Sequence, residues 1–197
     1  MGDKKFMDKK NDSNKEYFFR GKNIRMRGVQ EQDYEVSMYR WANDVEFNQY
    51  LSYGLYPATP GTMRNLFSDL MSKENYIFSI DDKSTNQHIG IIGLHNINWQ
   101  IRSAEYTIHI GEKKYWGTTV AAEATEYILS FAFTSLNMSK IWLGVCEENS
   151  RALKFYEKIG FQKEGALRNE IFRNNKYYNS IRMSLLNNEY SQNDRKV

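Results

Sequence analysis

The stretch that decides the fold runs from Glu105 to Phe161. It opens with a strand-like run, Glu105–Ile110, turns through Trp116-Gly117-Thr118-Thr119-Val120-Ala121, and enters a long helical pattern, Thr119–Leu136. A second strand pattern, Ile141–Cys146, follows, and Asn149-Ser150-Arg151-Ala152 leads into a short helix, Ser150–Lys158, closing on Ile159-Gly160-Phe161. This order sets a small-residue turn at a helix N-terminus. Unpaired amides there favour negative charge, and small side chains let a phosphate approach the backbone.

Working outward, Tyr76–Ile80, His88–Leu94 and Ala104–Ile110 read as consecutive strands of a meander. Ile24–Arg27 alternates like a short strand before a helical pattern in Glu31–Asn43, where Tyr34, Met38, Trp41 and Ala42 recur at helical spacing. The loop Tyr53–Gly61 contains both prolines and precedes a helix over Thr62–Ser72, so the helix pair and its loop read as one insertion. Phe161–Glu170 and Tyr177–Leu186 flank Asn174-Asn175 as a final hairpin. The expected fold is α/β (α+β): one domain with a mixed, mostly antiparallel sheet and helices on both faces. Its expected limits are residues 22–187, between a mobile basic tail (1–21) and a C-terminal tail (188–197).

A chain of 197 residues, 41% hydrophobic and 15% aromatic, suits one globular core. No apolar run approaches the roughly 18 residues of a membrane span, so a soluble protein without membrane partners is expected. Cys146 is the one cysteine; it excludes an intramolecular disulfide, reads as a buried strand thiol and agrees with a reducing cytoplasm. Three scattered histidines give no metal site, and no serine sits in a nucleophile elbow. Residues 1–27 hold nine Lys or Arg against four Asp or Glu. That excess reads as a solubilising tail or a contact for an acidic partner such as RNA, though nothing resembles a nucleic-acid recognition motif.

Strand alternation puts Glu105, Thr107 and His109 on one face and Tyr106, Ile108 and Ile110 on the other. A carboxylate on the Glu105 face could take a proton directly or through water, with His109 and His95 as competing titratable groups. Asn149 and Ser150 are good helix N-caps. Tyr156 follows Ala152 by four and lies on the inward face.

The order Glu105, Trp116–Ala121, Asn149 and Tyr156–Phe161 resembles the GCN5-related N-acetyltransferase (GNAT) superfamily, and within it the Rim-type ribosomal-protein and spermidine acetyltransferase branch. The resemblance covers roughly residues 22 to 187, and its strongest segments are Tyr115–Ala124 and Asn149–Gly165. It implies an acetyl-coenzyme A-dependent N-acetyltransferase acting on a primary amine of a protein N-terminus, polyamine, amino sugar or aminoglycoside; a non-catalytic acyl-coenzyme A-binding domain is the alternative. It further implies that the strands holding Glu105–Ile110 and Ile141–Cys146 run parallel and splay apart. Cofactor contacts would come from Ile108, His109, Ile110, Trp116, Gly117, Thr118, Thr119, Val120, Ala121, Asn149 and Ala152. Tyr156 would act as the acid on the departing thiolate and Glu105 as the base. Glu46, Tyr50, Tyr53 and Tyr56 would line the acceptor side. Oligomeric state stays open, a homodimer included. Where the family carries glycine this chain has Thr119, whose β-branched side chain narrows the approach and excludes easy positive φ. Its hydroxyl either turns outward to donate to a phosphate or cofactor affinity falls. In the closing segment Phe172–Met183, Asn179 replaces the aspartate of many relatives.

Overall fold

The computed structural model of the chain describes residues 16–51, 56–72 and 74–193. Alternating apolar residues in the central strands build one eight-stranded sheet in the order β1-β2-β3-β4-β5-β6-β8-β7. Its strands are β1 (Tyr17–Arg20), β2 (Ile24–Gly28), β3 (Tyr76–Asp82), β4 (His88–Asn98), β5 (Ser103–Ile110), β6 (Lys140–Cys146), β7 (Gln162–Arg173) and β8 (Lys176–Leu186). Neighbours are antiparallel except β5 and β6. The helices are α1 (Tyr39–Ala42), α2 (Val45–Asn48), α3 (Pro60–Ser72), α4 (Val120–Ser130), α5 (Ser150–Ile159) and α6 (Asn187–Asn193).

Alternation divides the two sides of the sheet between two cores. Ile92, Leu94 and Tyr106 pack with Val120, Ala124, Ile128 and Leu129 of α4 and with Leu153 and Tyr156 of α5. Ile91, one residue from Ile92 and therefore on the other face, packs with Met38, Trp41, Met63 and Phe67 of the helical insertion. The α5 helix ends on Gly160 at φ +113°, with the Gly160 and Phe161 amides donating to the Tyr156 carbonyl at 3.2 and 3.0 Å. This left-handed stop turns the chain so that Phe161 is buried beside the Tyr156 ring. Asn174 and Asn175 both take positive φ, the tight hairpin turn expected between β7 and β8.

The insertion is fastened to the sheet by buried charge. Arg27 on β2 donates to both Asp33 oxygens at 2.6 and 2.9 Å and to both Asp81 oxygens at 2.9 and 3.0 Å. Asp33 also accepts from the Ser79 hydroxyl and the Gln30 amide. Burial opposes charge on Asp33, but the Arg27 hydrogen bonds hold its carboxyl below the usual range. His88 lies tilted against Trp41 with ring centres 5.0 Å apart, and burial pushes its imidazole down despite Asp33.

Three expectations need correction. Tyr17–Arg20 is not tail: it pairs with β2, and Phe19 packs on the main core. Of the C-terminal tail, Asn187–Asn193 is helical, and Tyr190 stacks on Phe133 at 5.0 Å. The two long helical patterns each contain a wider, π-helical stretch, Asp33–Met38 before α1 and Phe131–Ser135 after α4. Among the described residues no helix is long and apolar enough to cross a membrane.

Replacing Arg27 by Met strands two buried carboxylates, so urea unfolding should report a loss of about 3–5 kcal/mol; a loss under about 1 kcal/mol would mean the cluster is not the anchor.

Candidate active site

The β5 and β6 strands pair through three residues, Ser103↔Lys140, Ala104↔Ile141 and Glu105↔Trp142, and then part. Beyond that point β5 keeps its β4 neighbour up to Ile110, and β6 keeps β8 up to Cys146. The facing edges, Tyr106–Ile110 and Leu143–Cys146, are left without a partner strand. They open into a cleft of about 1470 Å³ that Ile108, His109, Ile110, Trp116 and Asn149 also line.

The turn into α4 presents backbone donors of the kind that can hold an anion. Trp116 is pinned by a bond from its indole Nε1 to the Ile110 carbonyl at 2.6 Å. Gly117 takes φ +76°, and a Cβ there would touch nothing, so glycine is needed for the dihedral alone. Thr119 sits at φ −74°, ordinary right-handed geometry. The feared strain at Thr119 is therefore absent, because the positive φ falls two residues earlier. The Thr118 hydroxyl donates to the Tyr115 carbonyl, while the exposed Thr119 hydroxyl makes no capping bond. Among the described residues, the amides of Gly117, Thr119, Ala121 and Ala122 have no protein acceptor. Val120 differs from its neighbours: its side chain is buried in the core, so only its backbone faces the turn.

Cations surround this turn. Arg151 lies 4.5 Å from the Trp116 ring centre, and Arg151, Lys154 and Lys158 follow at helical spacing on α5 and line the cleft. The Asn149 side chain caps α5 by accepting from the Ala152 amide at 3.1 Å, which leaves its Nδ2 as a donor.

Glu105 and Tyr156 flank the parting strands from opposite faces. Tyr156 packs edge-on to Tyr106, the first β5 residue past the last parallel pair, with ring centres 6.1 Å apart. Its hydroxyl has no hydrogen-bond partner among the described residues, and burial pushes the phenol up, so it stays protonated at neutral pH. Glu105, on the other face, accepts from the Asn96 amide at 2.7 Å and stands 3.7 Å from His95 Nδ1. Burial lowers the His95 pKa against the pull of Glu105. His109 bonds Thr107 at 3.1 Å and is pushed down to about 4, by burial first and His95 second. Both imidazoles are neutral near pH 7.

The acceptor residues fare unevenly. Tyr50 lines the cleft. Glu46 does too, but Lys113 already holds its carboxylate at 2.6 Å and Asp44 at 2.9 Å. Tyr56 is 81% exposed and does not line the cleft; Tyr53 lies outside the described residues. Three groups that line the cleft were not foreseen. Phe47 stands edge-on to His109 at 6.1 Å; Trp142 lies beside Glu105 under the Arg182 guanidinium at 3.8 Å; and α5 carries its basic stripe. Only the stripe had a sequence signal, the spacing of residues 151, 154 and 158. Asn179 is occupied structurally, donating to Glu147 and accepting from the Asn169 amide.

Residues 23–162 match the family model described as the acetyltransferase (GNAT) domain. The chain belongs to this family. Among its GNAT relatives, the spermidine N(1)-acetyltransferase of Escherichia coli (strain K12) is 39% identical over 101 residues, 51% of this chain and 54% of that protein. The chain thus matches about half the length of that curated relative. An uncharacterized N-acetyltransferase of Bacillus licheniformis, p20, is 29% identical over 85% of this chain and 95% of its own length. The crystal structure of spermidine N-acetyltransferase from Vibrio cholerae in complex with CoA and spermine superposes with a TM-score of 0.77 at 28% identity, covering 86% of this chain and 98% of that one. The single GNAT domain, its mostly antiparallel sheet and the one parallel strand pair agree with the fold expected from sequence.

Two outcomes test this geometry. Gly117→Ala should cost about 1–2 kcal/mol in denaturant unfolding, because an alanine is forced to positive φ. Stability should also fall on acidification. Unfolded histidine protonates near pH 6.5, whereas folded His109 resists until about 4. The unfolded chain therefore binds the extra proton throughout that window, and stability is complete above it and lost as pH falls. Unfolding midpoints from pH 7 to pH 4 should follow this slope, and His109→Gln should flatten it.

Proposed function

We propose that this chain is an acetyl-coenzyme A-dependent N-acetyltransferase that passes the acetyl group directly to a primary amine in a ternary complex. The observation that carries the reading is the parting of β5 and β6, with Glu105 on one face and Tyr156 on the other. The relative crystallised with CoA and spermine supports it, as do the vacant turn amides and the cations of α5. A diphosphate would meet the amides of Gly117, Thr119, Ala121 and Ala122, with Arg151, Lys154 and Lys158 for the remaining phosphate charge. The acyl arm would enter the slot between the strands, its thioester at the apex.

Each residue then has a task. Glu105, directly or through water, takes the proton of the attacking nitrogen. Backbone amides on the open β5 edge polarise the acetyl carbonyl. A C–N bond forms, the C–S bond breaks, and Tyr156 gives its proton to the thiolate. Holding both reactants in one slot supplies much of the rate, and no covalent enzyme intermediate is needed.

Calorimetry with acetyl-coenzyme A, paired with thiol release over an amine panel, tests the proposal; binding without turnover on any amine would favour a non-catalytic acyl-coenzyme A-binding domain. Tyr156→Phe should lower kcat by about 100-fold or more while leaving the acetyl-coenzyme A Kd within about threefold. Unchanged turnover would remove Tyr156 from the chemistry. Thr119→Gly should bring no gain in affinity, since Thr119 carries no strain to relieve.

A further inference from the structure

The acceptor half of the cleft lies between the Glu105 face of the sheet and the helical insertion. Its floor holds a polar strip of His95, Glu105, Thr107 and His109 on β4 and β5. The walls beside that strip are apolar: Ile77 and Ile91 from the same sheet face, Phe47 from α2, and Leu66, Phe67 and Leu70 from α3. Counter-charge is scarce. A single cation, Lys113, bridges Glu46 and Asp44 and offsets one of their two charges. Glu105 is bonded to Asn96, and burial keeps His109 uncharged. Among the described residues, the other carboxylates that line the cleft lie elsewhere. Glu126 sits on α4 beside Lys22. Glu170 sits on β7, three strands from Glu105 in the sheet order, about 14 Å at ordinary strand spacing.

We infer that the acceptor is a primary amine borne on an apolar body, an aralkylamine being its simplest form, and not a linear polycation; the inference rests on the transferase reading above. A polycation would bring a charge for each of its nitrogens into a chamber whose carboxylates, among the described residues, are Glu105 and the Lys113-bridged Glu46, and each charge beyond those loses its hydration uncompensated. An apolar body gains from leaving water and fills the space under α3. Glu105 then serves the reacting nitrogen alone.

The test compares thiol-release kinetics of the full chain with phenethylamine and with spermidine. Phenethylamine should have the higher kcat/KM by about tenfold or more, the scale on which an apolar pocket discriminates. Leu66, 41% exposed on α3, offers a variant that need not disturb the fold. Leu66→Glu should shrink or reverse that ratio with the acetyl-coenzyme A Kd unchanged. Spermidine used as well as or better than phenethylamine overturns the inference and leaves the transferase standing. An unchanged ratio in a Leu66→Glu protein that still binds acetyl-coenzyme A also overturns it; if the variant does not bind, the wild-type ratio decides alone. Absence of turnover on every amine removes both readings.

Discussion

A sheet that lets two of its own neighbours separate must hold each of them from the outside, and this constraint shapes the molecule. The β5 strand stays tied to β4 as far as Gly90↔Ile110, and β6 stays tied to β8 as far as Cys146↔Ser180. With the outer edges satisfied, the inner edges can face a gap without the sheet collapsing. Backbone groups on those edges still need partners, because buried N–H and C=O groups left unpaired are costly. A slot of this kind has to be filled by solvent or by a molecule able to hydrogen-bond like a strand. The parting begins at Glu105, on one face of the sheet, and at Tyr106, which packs edge-on to Tyr156 on the other.

Much of this was readable from the chain itself. Alternation in His88–Leu94 and Ala104–Ile110 gave the central strands and put Glu105, Thr107 and His109 on a common face, because period-two patterning survives folding wherever one face is buried. Gly160 and the Asn174-Asn175 pair are local signals, and each does locally what its residue type favours. The turn at Trp116–Ala121 was located but its strain was misassigned. Residue identity marks where a glycine is missing, whereas the dihedral that needs one depends on how Trp116 is anchored to Ile110.

The rest depended on partners far away in sequence. Arg27, Asp33 and Asp81 are unremarkable polar residues in the chain, and only the register of β2 against β3 makes them a buried cluster. Strand β1 begins in a segment whose composition suggests a solvated tail, and it is the pairing with β2 that claims it. Glu46 looked available to a substrate amine until Lys113, 67 residues on, was found beside it. Apolar walls around the Glu105 strip could not be foreseen either, since they are assembled from α2, α3, β3 and β4.

The Arg27 cluster has a consequence for how such a protein diversifies. Because the insertion is moored at its root by ion pairs among Arg27, Asp33 and Asp81, α3 does not carry the whole burden of attaching it to the sheet. An exposed residue such as Leu66 is then at liberty to change with little risk to the scaffold, so on the proposed reading a lineage could retune its choice of amine by rewriting one helix face while the turn into α4 stays untouched.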